Sequence, residues 1–194
     1  TVFIATPEVW SDIQHRVDEY VSGLTMPEQR MFRWARRIAN VHHAHVQSHR
    51  QSPVQIQGKL AVARASIFSM LKERLGLNRT HHFYAHSGSI SPTVREYFSS
   101  VDIVIAEMYG QTETCGLTSV GTNGALKFGR VGRPISGTEM KIADDGEIYV
   151  RGGNVCAGYW NDTARTAARI QNGWFATKDR GTLDEDGLVV LESM

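Results

Sequence analysis

The sequence predicts an α/β fold, and three observations carry that expectation. Apolar residues recur at helical spacing through most of the first hundred positions, and a strand, helix, strand order lies between about residues 82 and 106. Beyond about residue 120, glycine becomes dense between short extended runs. The expected organisation is a sheet-and-helix portion over residues 1–119 and a β-rich portion over residues 120–194.

Each element has a local cause. Pro7 stands at a first helical position behind Thr6, a cap candidate, and Trp10, Ile13, Val17, Tyr20 and Leu24 follow at spacings of three and four. A second helix is expected from Pro27 through Phe32, Ala35 and Ile38, and a third from Leu60 to Leu75, stopped by Gly76. The runs His82–Ala85 and Ile103–Ala106 read as strands flanking a helix that starts at Ser91-Pro92 and continues through Val94 and Phe98. That order favours a parallel sheet, with Ser87-Gly88-Ser89 and Met108-Tyr109-Gly110-Gln111 side by side at the carboxyl ends of its strands. In the second half, Asp145-Gly146 and Asp186-Gly187 each separate two extended runs, the mark of a hairpin. One helix is expected behind Asp162, through Ala164, Ala167 and Ala168, ending at Asn172-Gly173. Trp160 and Trp174 are expected in the core of this half.

Composition narrows the function classes. The chain is 41% hydrophobic, with 21 Lys and Arg against 20 Asp and Glu, so its overall charge offers no footprint for nucleic acid or an anionic membrane. No apolar stretch approaches the ~18 residues of a membrane-spanning helix. Cys115 and Cys156 form no Cys-x-x-Cys pair and read as small packed residues of a reducing, cytoplasmic setting. His42, His43, His45 and His49 crowd one helix; His45 and His49 have the spacing of a helical metal pair, but no third ligand accompanies them. Gly129 to Pro134 reads as a turn rather than a phosphate loop, because no strand-to-helix pattern surrounds it.

The hexapeptide Tyr109-Gly110-Gln111-Thr112-Glu113-Thr114 carries the most chemistry. Glycine after an aromatic permits a tight turn, a hydroxyl with nearby backbone N–H groups can hold a phosphate oxygen, and a carboxylate beyond can hold Mg²⁺. With it stand Gly132-Arg133-Pro134, the run Gly146 to Gly152, Gly158-Tyr159-Trp160, Gly173-Trp174-Phe175 and Thr177-Lys178-Asp179. In this order they resemble the core motifs of the adenylate-forming superfamily. Pro7-Glu8-Val9-Trp10, and Glu73 to Leu77 leading into Ser87-Gly88-Ser89-Ile90-Ser91-Pro92, resemble its long-chain fatty acid–CoA ligase branch.

The resemblance implies a sheet-and-helix subdomain portion followed by a β-rich subdomain, and a parent enzyme that adenylates a fatty acid with ATP and passes the acyl group to coenzyme A. It implies that Thr112 binds the α-phosphate, Glu113 binds Mg²⁺, Tyr109 packs on adenine and Asp179 holds the ribose hydroxyls. Gly110 and Gln111 belong to the same nucleotide loop, and Ser87, Gly88 and Ser89 to the junction of adenine and acyl pockets. A carboxylate suits a vicinal diol because it accepts two charge-assisted hydrogen bonds.

Departures accompany the matches. The family's phosphate loop with its lysine and its mobile C-terminal domain with a second lysine have no counterpart in these residues, so the segment alone is expected to be inactive. Lys178 stands where the family has glycine, and a positive φ there would strain it. Ser193-Met194 stands where the family has Gly-Arg. A non-catalytic binder of nucleotide or acyl-adenylate, and a fatty acyl-AMP ligase serving a carrier protein, are the alternative readings.

Overall fold

The computed structural model describes residues 1–122 and 127–192; the Ser193-Met194 departure lies outside them. The chain forms two compact units that meet in sequence between Ile105 and Ala106.

In the first unit, β1 (Val2–Ala5) runs into α1 (Pro7–Ser22) and α2 (Met26–Gln47). Thr6 occupies the N-cap of α1, but its side chain bonds to Glu8 rather than to a helix N–H, so Pro7 with its preset φ starts this helix. Thr25 and Glu28 close a capping box on α2, the Glu28 carboxylate accepting from Thr25 N at 2.8 Å. The expected third helix begins earlier, at α3 (Val54–Ala63), passes through a π-helical turn over Arg64–Phe68 and ends as α4 (Ser69–Arg74). Gly76, at φ 70°, terminates it as expected. The strand β2 (His82–Ala85) pairs parallel with β1, Val2 opposite His82, and Ser91 Oγ accepts from Val94 N to cap α5 (Pro92–Ser100).

Packing in this unit centres on Trp10, which is fully buried. Its ring meets Phe3, Phe83 and Phe98 edge-on at 5.2, 6.2 and 5.0 Å, and its Nε1–H donates to Tyr84 O at 3.1 Å. The first unit also buries a polar hub. Asp102 accepts from Arg64 Nε and Nη2 at 2.7 and 2.8 Å, lies 3.1 Å from His43 Nε2 and 3.9 Å from Lys72 Nζ. Burial pushes the Asp102 carboxyl up, but the His43 and Arg64 hydrogen bonds and the Arg64 and Lys72 charges outweigh it and hold it well below the usual carboxylate range.

The strand expected at Ile103–Ala106 is displaced: β3 (Ile105–Tyr109) opens the second unit. Val101 and Ile103 are instead spent on the core, and Ile103 N donates back to Phe98 O at 2.9 Å. In the second unit β3, β4 (Ser119–Val120) and β5 (Arg133–Pro134) pair antiparallel. A second antiparallel sheet contains β6 (Thr138–Ile142), β7 (Glu147–Gly152), β9 (Trp174–Leu183) and β10 (Val189–Leu191) in the order β10-β9-β7-β6. Between β7 and β9 lie α6 (Thr163–Arg169), capped by Asp162 accepting from Arg165 N at 2.8 Å, and β8 (Ile170–Gln171). Both expected hairpins and the expected helix are there. Ile148, Val150 and Val189 are completely buried and, with Tyr109 and Val131, form this unit's apolar centre, while Phe175 is completely buried beside the Arg169 guanidinium, 5.0 Å from its ring centroid.

Four side chains depart from their expected burial. Trp160 is 92% exposed, because it stands on a turn whose next residue, Asn161, has φ 52°. Trp174 is half-buried, with Lys141 and Arg151 over its ring at 4.3 and 4.7 Å. Cys115 is exposed, on a left-handed residue at the end of a 3₁₀ turn, and Cys156 is intermediate.

Candidate functional site

At the end of β3 the chain folds back on itself. A Cβ on Gly110 would sit 2.6 Å from Gly116 O, so only glycine permits this approach. Thr112–Thr114 form a 3₁₀ turn closed at both ends: Thr114 Oγ1 accepts from Gln111 N and donates to Gln111 O, both at 3.0 Å. Thr118 donates its backbone N–H to Tyr109 O at 2.7 Å and its hydroxyl to Thr114 Oγ1 at 2.9 Å. Asn154 Nδ2 adds bonds to Thr114 O and Leu117 O. The turn is therefore rigid while Thr112 itself remains exposed.

Asp179 is brought to this turn by an irregularity in β9. The pairing with β7 shifts register between Glu147 and Tyr149, and opposite the shift Lys178 takes φ 65°. The condition under which a lysine is strained at this position, a positive φ, is therefore met. Lys178 N donates to Glu147 Oε1 at 3.0 Å, Thr177 Oγ1 donates to Ile148 O at 2.7 Å, and Asp179 N donates to Thr177 Oγ1 at 3.1 Å. Arg169 fastens the same strand from α6, donating to Ala176 O at 2.7 Å and Thr177 O at 3.1 Å.

Tyr109, Gln111 and Asp179 thereby come into direct contact. Asp179 Oδ2 accepts from Tyr109 OH at 2.7 Å and from Gln111 Nε2 at 2.6 Å, while Oδ1 has no partner among the described residues. Burial, reinforced by the bond to Asp179, pushes the Tyr109 hydroxyl far above its ordinary pKa, so it acts only as a donor to the carboxylate.

Glu113 is held from another direction. Tyr159 OH donates to its Oε1 at 2.8 Å, and that bond, with the Arg169 and Arg165 charges, keeps the carboxyl below its usual range. Tyr159 is itself locked. Its N–H donates to Thr166 Oγ1 at 2.9 Å, the Arg165 guanidinium lies 4.0 Å from its ring centroid, and a Cβ on Gly158 would come within 2.6 Å of Thr166 Cγ2. The role of Tyr159 was hidden in the sequence, because it lies 46 positions from Glu113; the only local signal was the Arg165, Arg169 pair at i, i+4 on α6.

Ser87, Gly88 and Ser89 lie in the first unit, directly after β2, and all three are exposed. Ser87 takes φ 65°, and its hydroxyl lies 2.5 Å from His86 Nδ1. No cluster of three or more His, Cys, Asp or Glu residues that could hold a metal occurs among the described residues. The donor set around Glu113, one carboxylate with an exposed hydroxyl residue beside it, fits Mg²⁺ shared with a phosphate rather than a cage built only of protein.

Known proteins bear on this geometry. The profile of the AMP-binding enzyme family matches residues 1–160. The long-chain-fatty-acid–CoA ligase FadD15 of Mycobacterium bovis is 34% identical over 136 residues, covering 70% of this chain and 22% of the relative. The mouse (Mus musculus) long-chain-fatty-acid–CoA ligase ACSBG2 is 28% identical over 198 residues, covering 98% of this chain and 29% of its own length. Among solved structures, the O-succinylbenzoate coenzyme A synthetase of Bacillus subtilis in complex with ATP and magnesium ion superposes with a TM-score of 0.53 at 29% identity, over 58% of this chain and 26% of that one. The chain thus spans less than a third of the length of these relatives. With a family profile over most of its length and the same fold in solved relatives, the chain belongs to the AMP-binding enzyme family.

Proposed function

We propose that this segment carries part of the nucleotide face of an ATP-dependent fatty acid–CoA ligase, which forms an acyl-adenylate in the presence of Mg²⁺ and transfers the acyl group to coenzyme A. The observation that carries this reading is the half-satisfied Asp179. Its Oδ2 is pinned by Tyr109 and Gln111, which fixes the carboxylate and leaves Oδ1 without a donor among the described residues. A vicinal diol supplies the missing donors, as a ribose does.

Each assigned residue then has a physical task. Tyr109 orients Asp179 through its hydroxyl, and its ring, only 6% exposed, would back the adenine from within the apolar centre. Gly110 and Gln111 shape and brace the loop. Thr112, which is exposed, would donate its hydroxyl to an α-phosphate oxygen, where negative charge accumulates as a carboxylate attacks phosphorus. Glu113, held by Tyr159, would bind Mg²⁺. When bound, that ion neutralises charge on the phosphates. The similarity to ligases named for long-chain fatty acids supports an acyl substrate of that class.

The test is carboxylate-dependent exchange of pyrophosphate into ATP by an enzyme that contains this segment. Asp179→Asn and Glu113→Gln are expected to depress exchange at least tenfold, the first chiefly through nucleotide KM. Unchanged exchange in both variants would refute the assignment.

A further inference from the structure

The even charge of the whole chain conceals a division. The first unit carries twelve Lys and Arg against eight Asp and Glu, and the second carries nine against twelve. The asymmetry is concentrated further: between Glu28 and Glu73 there is no acidic residue, but there are eight Lys and Arg.

Three of those eight are committed inside the first unit. Arg36 donates to Ser100 Oγ at 2.8 Å, and Arg64 and Lys72 serve Asp102. A second group is arranged quite differently. Met26, Arg30, Arg33, Arg37, Val41 and Ala44 follow one another along α2 by steps of three or four, and all six are exposed. At about 100° per residue these steps confine them to one stripe of the helix. The opposite face of α2 is buried through Phe32, Ala35, Ile38, Ala39 and His43, so the helix cannot roll to hide the stripe. None of Arg30, Arg33 and Arg37 has an ion-pair partner among the described residues. The apolar members of the stripe are substantially exposed, Met26 at 59% and Val41 at 41%.

We propose that the outward stripe of α2, centred on Arg30, Arg33 and Arg37, docks the protein on an anionic lipid bilayer surface. Its chemistry suits that partner. Guanidinium groups pair with lipid phosphate and carboxylate oxygens, and the long arginine stems let the methionine and valine side chains settle at the boundary between headgroup and acyl chain. A duplex nucleic acid would use the arginines but not these apolar neighbours, and a single strand would call for exposed aromatic rings, which the stripe does not carry. The inference rests on α2 alone and stands apart from the nucleotide assignment.

The experiment is co-sedimentation of the purified chain with vesicles of phosphatidylcholine alone, or with about a third phosphatidylserine. Binding is expected only to the anionic vesicles, and should weaken as salt shortens the Debye length from about 10 Å at 0.1 M toward 3 Å at 1 M. Each arginine near such a surface contributes about a factor of five, so Arg33→Gln with Arg37→Gln should lower the vesicle partition coefficient roughly 30-fold. Both side chains are exposed, and circular dichroism will establish that the variant is folded. The charge-matched control, Arg16→Gln with Arg79→Gln, should retain most of the binding. Equal binding to both vesicle types, or equal loss in both variants, would overturn the proposal. So would tighter binding to a DNA duplex than to anionic vesicles at the same salt.

Discussion

Replacing Lys178 by glycine should stabilise the protein, although it deletes a side chain next to the candidate nucleotide site. Lys178 holds φ 65°, a region in which a Cβ costs roughly 1–2 kcal/mol. Its side chain is exposed, and the interaction that matters, the N–H donated to Glu147 Oε1 at 3.0 Å, belongs to the backbone and survives substitution. Glycine adds freedom to the unfolded chain, which offsets about 0.4–1 kcal/mol of the gain. The net is about 0.5–1 kcal/mol in favour of Lys178→Gly, or a rise in Tm of about 1–4 °C. Urea and thermal unfolding of the purified chain measure this directly. Lys178→Ala serves as the control, because alanine keeps the Cβ and should leave stability within a few tenths of a kcal/mol of the parent. If the glycine variant is no more stable than the alanine variant, the backbone at 178 stores no strain and the register-shift argument fails.

Other perturbations probe separate parts of the account. Asp102→Asn leaves Arg64 and Lys72 without their shared counter-charge and should cost about 3 kcal/mol in urea unfolding at pH 7. Because folding depresses the Asp102 carboxyl, its contribution is present above the ordinary carboxylate pKa of about 4 and fades as pH falls below it; the parent should therefore lose more stability than Asp102→Asn between pH 7 and about pH 3.5. Gly110→Ala places a methyl 2.6 Å from Gly116 O and should destabilise the second unit by about 1–3 kcal/mol in the same assay. Tyr159→Phe removes the donor to Glu113 and should weaken the Mg²⁺-dependent part of ATP binding about tenfold by calorimetry, with AMP binding in the absence of Mg²⁺ unchanged.

Where local signals determined the outcome, the sequence was readable. Asp145-Gly146 and Asp186-Gly187 set hairpins that join β6 to β7 and β9 to β10, and Asp162 caps α6 because a short carboxylate reaches the N–H three residues on. β1 was not legible: four residues hold no periodicity, and its strand character comes from pairing with β2 about eighty positions away. The strand placed at Ile103 moved for a related reason, since an apolar run can fill a core as readily as a sheet. α3 starts ahead of its expected position because Val54 is exposed and Gly58 interrupts the helical signal.

At the candidate site the residues of the Tyr109–Thr114 loop and Asp179 were legible as motifs. What the motifs could not give was their wiring: that Asp179 spends one oxygen on Tyr109 and Gln111, that Tyr159 serves Glu113, and that Arg169 secures the strand beneath. These contacts join segments dozens of residues apart, so only the fold creates them. The positive φ at Lys178 was anticipated as a condition, and its cause, the shifted pairing of β7 with β9, is again a tertiary one.

The most direct measurement is calorimetric titration of a non-hydrolysable long-chain acyl-adenylate analogue into the chain and into its Asp179→Ala variant. If Asp179 receives the ribose hydroxyls, the parent binds saturably and the variant binds about 10- to 100-fold more weakly, the worth of hydrogen bonds to a charged acceptor. Identical affinity for the two proteins would remove Asp179 from the site and contradict the proposed nucleotide face.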